Sequence, residues 1–339
     1  MKKSLLWTLV SSALFIFLIS SVSTSQVVRH SAPIHQKPTL YSVNTVLIEW
    51  PDIDRHGSMP VKMYYPVSKQ REHLSFPVII FCNDAGRTRD EFDYLGLHWA
   101  SQGYVCVHMP QNGKDYSSWE GNNNRGREKA HKSFTRRYEP QREDDVRFAI
   151  SNLVIMNRDD RIFSRLLDLS RIGVVGDYFD AKTAMNIAGQ WAPVSRGRSG
   201  PGDEARIKAI IVLSAPKPNR QAMLDIAYSR ISIPILEMSE TIAAAPAPGR
   251  KERARPFDFI VSNDQYSIIF RGSEYSIFFG PNHSNFGNND RDRYHINFIK
   301  DITTSFWNAY LKNDPEAKRW LRKGGFDNYY DGYYSRGRR

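Results

Sequence analysis

The side chains able to do chemistry fall in a few short stretches. Tyr178 stands in the middle of Gly176-Asp177-Tyr178-Phe179-Asp180, His283 closes Gly280-Pro-Asn-His, and Asn83-Asp84 follows an apolar run at residues 77–82. An imidazole can serve as a general base for a neighbouring nucleophile. A phenol with a pKa of about 10 is a poor one, because roughly one part in a thousand is phenolate at neutral pH. Asp84, Asp177 and Asp180 offer oxygen ligands for a cation if they gather at one mouth, although a polar pocket without metal is the simpler reading. The nine histidines include no i, i+4 pair on a helix, and no CxxC, HExxH or GxxxxGK[ST] occurs. Neither a metal nor a cofactor is expected.

These residues need elements to hold them, and the stretch around Tyr178 shows its element most clearly. Residues 172–175 are a short apolar run without charge, suited to a buried parallel strand. Ala181, Ala184, Met185 and Ala188 then recur at spacings of three and four, one apolar face of a helix. A strand that turns into a helix within four residues is the setting of the Gly-x-Ser-x-Gly motif. There a strained turn exposes a serine, and glycines on either side let strand and helix backbones approach. Here Gly176 fills the first glycine position, Tyr178 the serine position and Asp180 the second glycine position. The framework is kept and the nucleophile is not. An ordinary strand-helix turn in some other α/β protein is the alternative at this point.

The rest of the chain supplies repeated strand-helix alternation. Residues 45–50 and 61–66 alternate like an antiparallel pair, with the turn near Gly57. The run at 77–82, a helical face of Phe92, Leu95, Trp99 and Ala100 stopped by Gly103, and a strand at 104–109 make a strand-helix-strand unit. A basic segment without period, 110–139, carries Arg125, Arg127, Lys129, Lys132, Arg136 and Arg137 and reads as a solvated excursion or a lid. A helix is expected at 145–157 and strands at 207–213 and 233–238. Residues 262–279 read as strand, turn at 271–273 and strand, and 296–311 as a closing amphipathic helix. This order predicts an α/β protein with a mostly parallel central sheet covered by helices on both faces.

Four segments follow from the pattern. Residues 1–25 have two lysines, an apolar run and small polar residues, the order of an export signal, with a retained membrane anchor as the alternative. Residues 26–41 are a polar linker, 42–323 the folded domain, and 324–339 a Gly, Tyr, Asp and Arg tail expected to lack structure. With 339 residues and 41% hydrophobic content the chain can bury a sizeable core. The net charge of +11 suits an anionic surface or polymer, while nothing points to specific nucleic-acid binding. Cys82 and Cys106 sit in neighbouring strand-like runs and read as two buried small hydrophobes rather than a disulfide.

Several pieces taken in order resemble secreted α/β-hydrolases of the dienelactone-hydrolase and platelet-activating-factor-acetylhydrolase kind. They are PVIIFCNDAGRTRDEFDYLGLHWASQGYVCVHMP, REDDVRFAISNL, DLSRIGVVGDYFDAKTAMNIAGQ, IKAIIVLSAP, IPILEMSE, GPNHSNFG and FWNAYLKND, spread over residues 76–314. The resemblance implies the α/β-hydrolase fold and a Ser-His-Asp triad. It puts Tyr178 at the nucleophile, Ala243 at the acid, His283 at the retained base, and Asn83 and Asp84 in the loop that supplies an oxyanion donor.

One triad member of three survives in that reading. Losing a serine nucleophile alone costs on the order of 10⁶ in turnover, and a carboxylate at Asp84 has the wrong sign for an oxyanion. Glu237 or Glu240 could stand in for the acid, but a glutamate at a strand end is usually solvated. The sequence therefore predicts an exported pseudo-hydrolase that binds a small molecule, lipid or polymer in the former active-site cleft. The alternatives are an active ester hydrolase using other residues, and an extracytoplasmic scaffold for anionic partners.

Overall fold

The computed structural model describes residues 40–53, 57–67, 74–83, 89–109, 142–178, 180–189, 204–215, 228–242, 260, 262–281, 290–326 and 334–338. The proposed signal at 1–25, nearly all of the linker and the basic segment at 110–139 lie outside them. Among the described residues no helix is long and apolar enough to cross a membrane.

Among the described residues nine strands form one sheet in the order β1-β2-β4-β3-β5-β6-β7-β8-β9. β1 (Ser42–Asp52) and β2 (Gly57–Val67) pair antiparallel, and β2 lies antiparallel to β4 (Val105–Met109). From there β4, β3 (Phe76–Cys82), β5 (Leu167–Asp177), β6 (Ile207–Leu213), β7 (Ile235–Ile242) and β8 (Gln265–Glu274) are all parallel. Their apolar runs lack alternation because both faces are covered.

On one face Ile79, Phe81, Val175, Ile211 and Met238 pack with α1 (Asp93–Ser101) and α4 (Asp290–Leu311), which contribute Trp99, Phe306 and Trp307. On the other, Val78, Ile80, Val174, Ile210 and Val212 pack with α2 (Arg142–Asp159) and α3 (Asp180–Ile187), through Val146, Ile150, Ala184 and Met185. The chain is thus an α/β protein with a mostly parallel sheet and helices on both faces. Cys82 and Cys106 are free and buried on opposite faces, so no bond between them is possible.

Three elements differ from the sequence reading. No hairpin forms at 271–273: β8 continues to Glu274, a register shift against β7 between Glu240 and Ile242 absorbs the glycine, and the second apolar run is a 3-10 turn, Tyr275–Phe278. That turn is pinned by the Tyr94 hydroxyl, which donates to the Phe278 carbonyl at 3.0 Å. A further helix, α5 (Pro315–Arg322), follows α4; its N-cap Asp314 accepts from the Glu316 and Ala317 amides. The tail is not wholly without structure either. Phe326 is buried, and β9 (Tyr334–Arg338) pairs antiparallel with β8, because that edge offers backbone groups that any extended segment can satisfy.

Candidate functional site

β5 ends at Asp177 and α3 begins at Asp180, so the turn between them is as tight as the motif requires. Tyr178 has φ 50, in the left-handed region that a non-glycine residue adopts only when its surroundings hold it there. Its amide donates to the Leu213 carbonyl of β6 at 2.9 Å, and its carbonyl accepts from the Ala181 amide at 3.2 Å. A Cβ added at Gly176 would run into the backbone of Asp180, so only glycine lets the helix sit this close to the strand. The geometry is that of a strained elbow with a phenol at its apex.

Asp177 and Asp180 turn to different partners. Asp180 and Arg142 of α2 form an ion pair at 3.0 Å with each side chain only 3% exposed, and Asp180 also accepts from the Thr183 hydroxyl at 2.9 Å. A glycine at this position could not anchor α3 in that way, and the pair accounts for the departure from the motif. Asp177 is buried and accepts from the Tyr275 hydroxyl, 2.5 Å from each of its oxygens. Asp84 lies outside the described residues. Among those described, no group of three or more His, Cys, Asp or Glu is placed to hold a metal ion.

Tyr275 links the elbow to the segment after β8. Its ring lies 5.6 Å from that of Tyr178, tilted by 38°, and meets Phe279 edge-on at 4.8 Å. The register shift in β8 is what delivers it there, and the sequence gives no sign of that.

One strand further on, Ser214 follows β6 with φ 51, and its amide donates to the Met238 carbonyl at 2.7 Å. Its hydroxyl lies 2.6 and 2.7 Å from the two carboxylate oxygens of Glu240 on β7. Glu240 is half-buried, and burial of its carboxyl raises its pKa above the usual glutamate range, with the Ser214 hydrogen bond acting in the opposite direction. Glu237 is buried, 3.3 Å from the Ser267 hydroxyl that donates to it. Neither glutamate is simply solvated, because β7 is an interior strand covered on both faces. Tyr178, Ser214 and Glu240 thus fall in sequence along the C-terminal edge of adjacent parallel strands, where open α/β sheets place their ligands.

Asn83 is buried beyond the end of β3, its amide donating to the Met109 carbonyl at 3.1 Å. His283, Ala243 and Phe179 lie outside the described residues. Of the histidines described, His108 and His295 are buried and His98 is half-buried; burial pushes the His108 pKa down to about 3 and that of His98 down to about 4. Both thiols are shifted up by burial, which keeps Cys82 and Cys106 protonated and unreactive.

No protein-family model matches the chain, and no curated protein matches it.

Proposed function

We propose that the protein is an exported α/β-hydrolase-fold pseudo-hydrolase, which binds a small molecule, lipid or polymer in the cleft at the C-terminal edge of its sheet. The observation that carries this reading is Tyr178 itself. The left-handed backbone at Tyr178 and the tight Gly176 contact suit a nucleophile elbow, and the group presented is a phenol ring set against a second tyrosine. Strained backbone of this kind clusters at functional sites, and an outlier supports a hypothesis of use. A phenol at that apex suits contact with a ligand better than attack on an ester, since it is almost wholly protonated at neutral pH.

The Ser214–Glu240 pair favours a second reading, an ester hydrolase built on other residues. A hydroxyl beside a carboxylate is a nucleophile beside a base, although a carboxylate removes a serine proton far less readily than an imidazole does.

A fluorophosphonate probe with mapping of the modified peptide, run alongside hydrolysis of short acyl esters, separates the two. The expected result is no labelling and no turnover above background, with Tyr178→Ser equally inert because the acid position remains Ala243. Labelling at Ser214 would favour the second reading. Turnover abolished by His283→Ala, or restored by Tyr178→Ser alone, would overturn the first.

A further inference from the structure

At the C-terminal edge of the sheet, Glu240 is a carboxylate without a cationic partner among the described residues. Its carboxylate accepts from the Ser214 hydroxyl and is also reached by its own backbone amide. A hydroxyl has one proton to give, whereas a carboxylate has about four lone-pair sites, so accepting capacity remains for another donor. Drawing such a group partly out of water without a cation is unfavourable, and an amide of the same shape would avoid the cost. Ser214 adds a second anomaly. It too is a non-glycine residue with φ in the left-handed region, held there by the backbone bond to Met238.

We propose that Glu240, oriented by Ser214, is the recognition point for an organic ammonium group on the ligand of this cleft. The inference rests on the binding reading above and names the chemistry of the ligand. A resident metal ion fits less well, since a carboxylate and one hydroxyl fall far short of the six to eight oxygens that calcium takes. Glu240 stands two strands from Tyr178, about 10 Å at the usual spacing of paired strands. A ligand of that length rests its body against the tyrosine pair and its ammonium on the carboxylate.

The test uses the full chain at neutral pH with 4-phenylbutylammonium as probe and 4-phenylbutan-1-ol as its neutral counterpart, titrated by calorimetry or by NMR. Wild-type protein is expected to prefer the ammonium at least tenfold, and Glu240→Gln to lose that preference while melting no lower than wild type. A merely structural glutamate would lower the melting temperature on substitution and leave the preference unchanged. Equal affinity for the two probes in the wild type overturns the inference, whether or not the variant folds, and so does an unchanged preference in Glu240→Gln. If neutral esters or lipids still bind while no ammonium preference exists, this inference fails and the binding reading stands. Robust ester turnover through His283 would defeat that reading instead.

Discussion

A carboxyl drawn out of water holds its proton more tightly than it does in the unfolded chain, so Glu240 makes stability depend on pH in a definite direction. Its folded-state pKa is raised. The contribution is therefore fully present below the unfolded value of about 4.3 and is lost as pH rises through the folded value. Glu240→Gln should thus melt close to wild type at pH 4 and above it at neutral pH, the gap widening as pH rises and then levelling. A gap that narrows toward neutrality in thermal scans would contradict the raised pKa. Asp264 has the opposite sign, since Arg322 and Lys318 hold its carboxyl below the ordinary range against the effect of burial; its contribution is present above the unfolded value and lost in acid. Comparing Glu240→Gln with Asp264→Asn separates a carboxylate whose ionised form costs stability from one whose ionised form adds it.

At the scale of elements, α3 is held against β5 by a bare glycine contact and tied to α2 by Arg142–Asp180. Removing one partner of a buried pair leaves a charge uncompensated, so Arg142→Ala should cost about 3–5 kcal/mol in denaturant unfolding. Exchanging both for apolar residues of similar volume should cost much less. The strand, the turn and the helix were legible in the sequence because residues 172–175 and the Ala181, Ala184, Met185 and Ala188 face have different periods. The partner of Asp180 was not, since it comes from a helix far upstream. Ser214 and Glu240 were each visible at a strand end, but only the β6–β7 register brings hydroxyl and carboxylate together. The hairpin read at 271–273 failed because a glycine between apolar runs marks a bulge as readily as a turn. The α5 signal, Asp314 followed by Pro315 and Glu316, was present and short.

For the molecule as a whole, the sheet formed by the described residues runs from β1 at one side to β9 at the other. β9 satisfies the backbone of β8 along Tyr266, Ser267, Ile268, Ile269 and Phe270, a segment whose Tyr266, Ile268 and Phe270 belong to the core. Deleting residues 327–339 uncovers that edge, and an open edge beside an intact core is a template for another chain. Light scattering should then show self-association that the full chain lacks. A variant that stays monomeric would mean that β9 adds little to the sheet.

Cys82 and Cys106 sit on either side of the sheet with their thiols protonated and sealed from solvent. Folding consequently draws on no oxidant and no disulfide-exchange catalyst. The same architecture forms in reducing and in oxidising surroundings, so passage from one to the other leaves the molecule's structure unaltered.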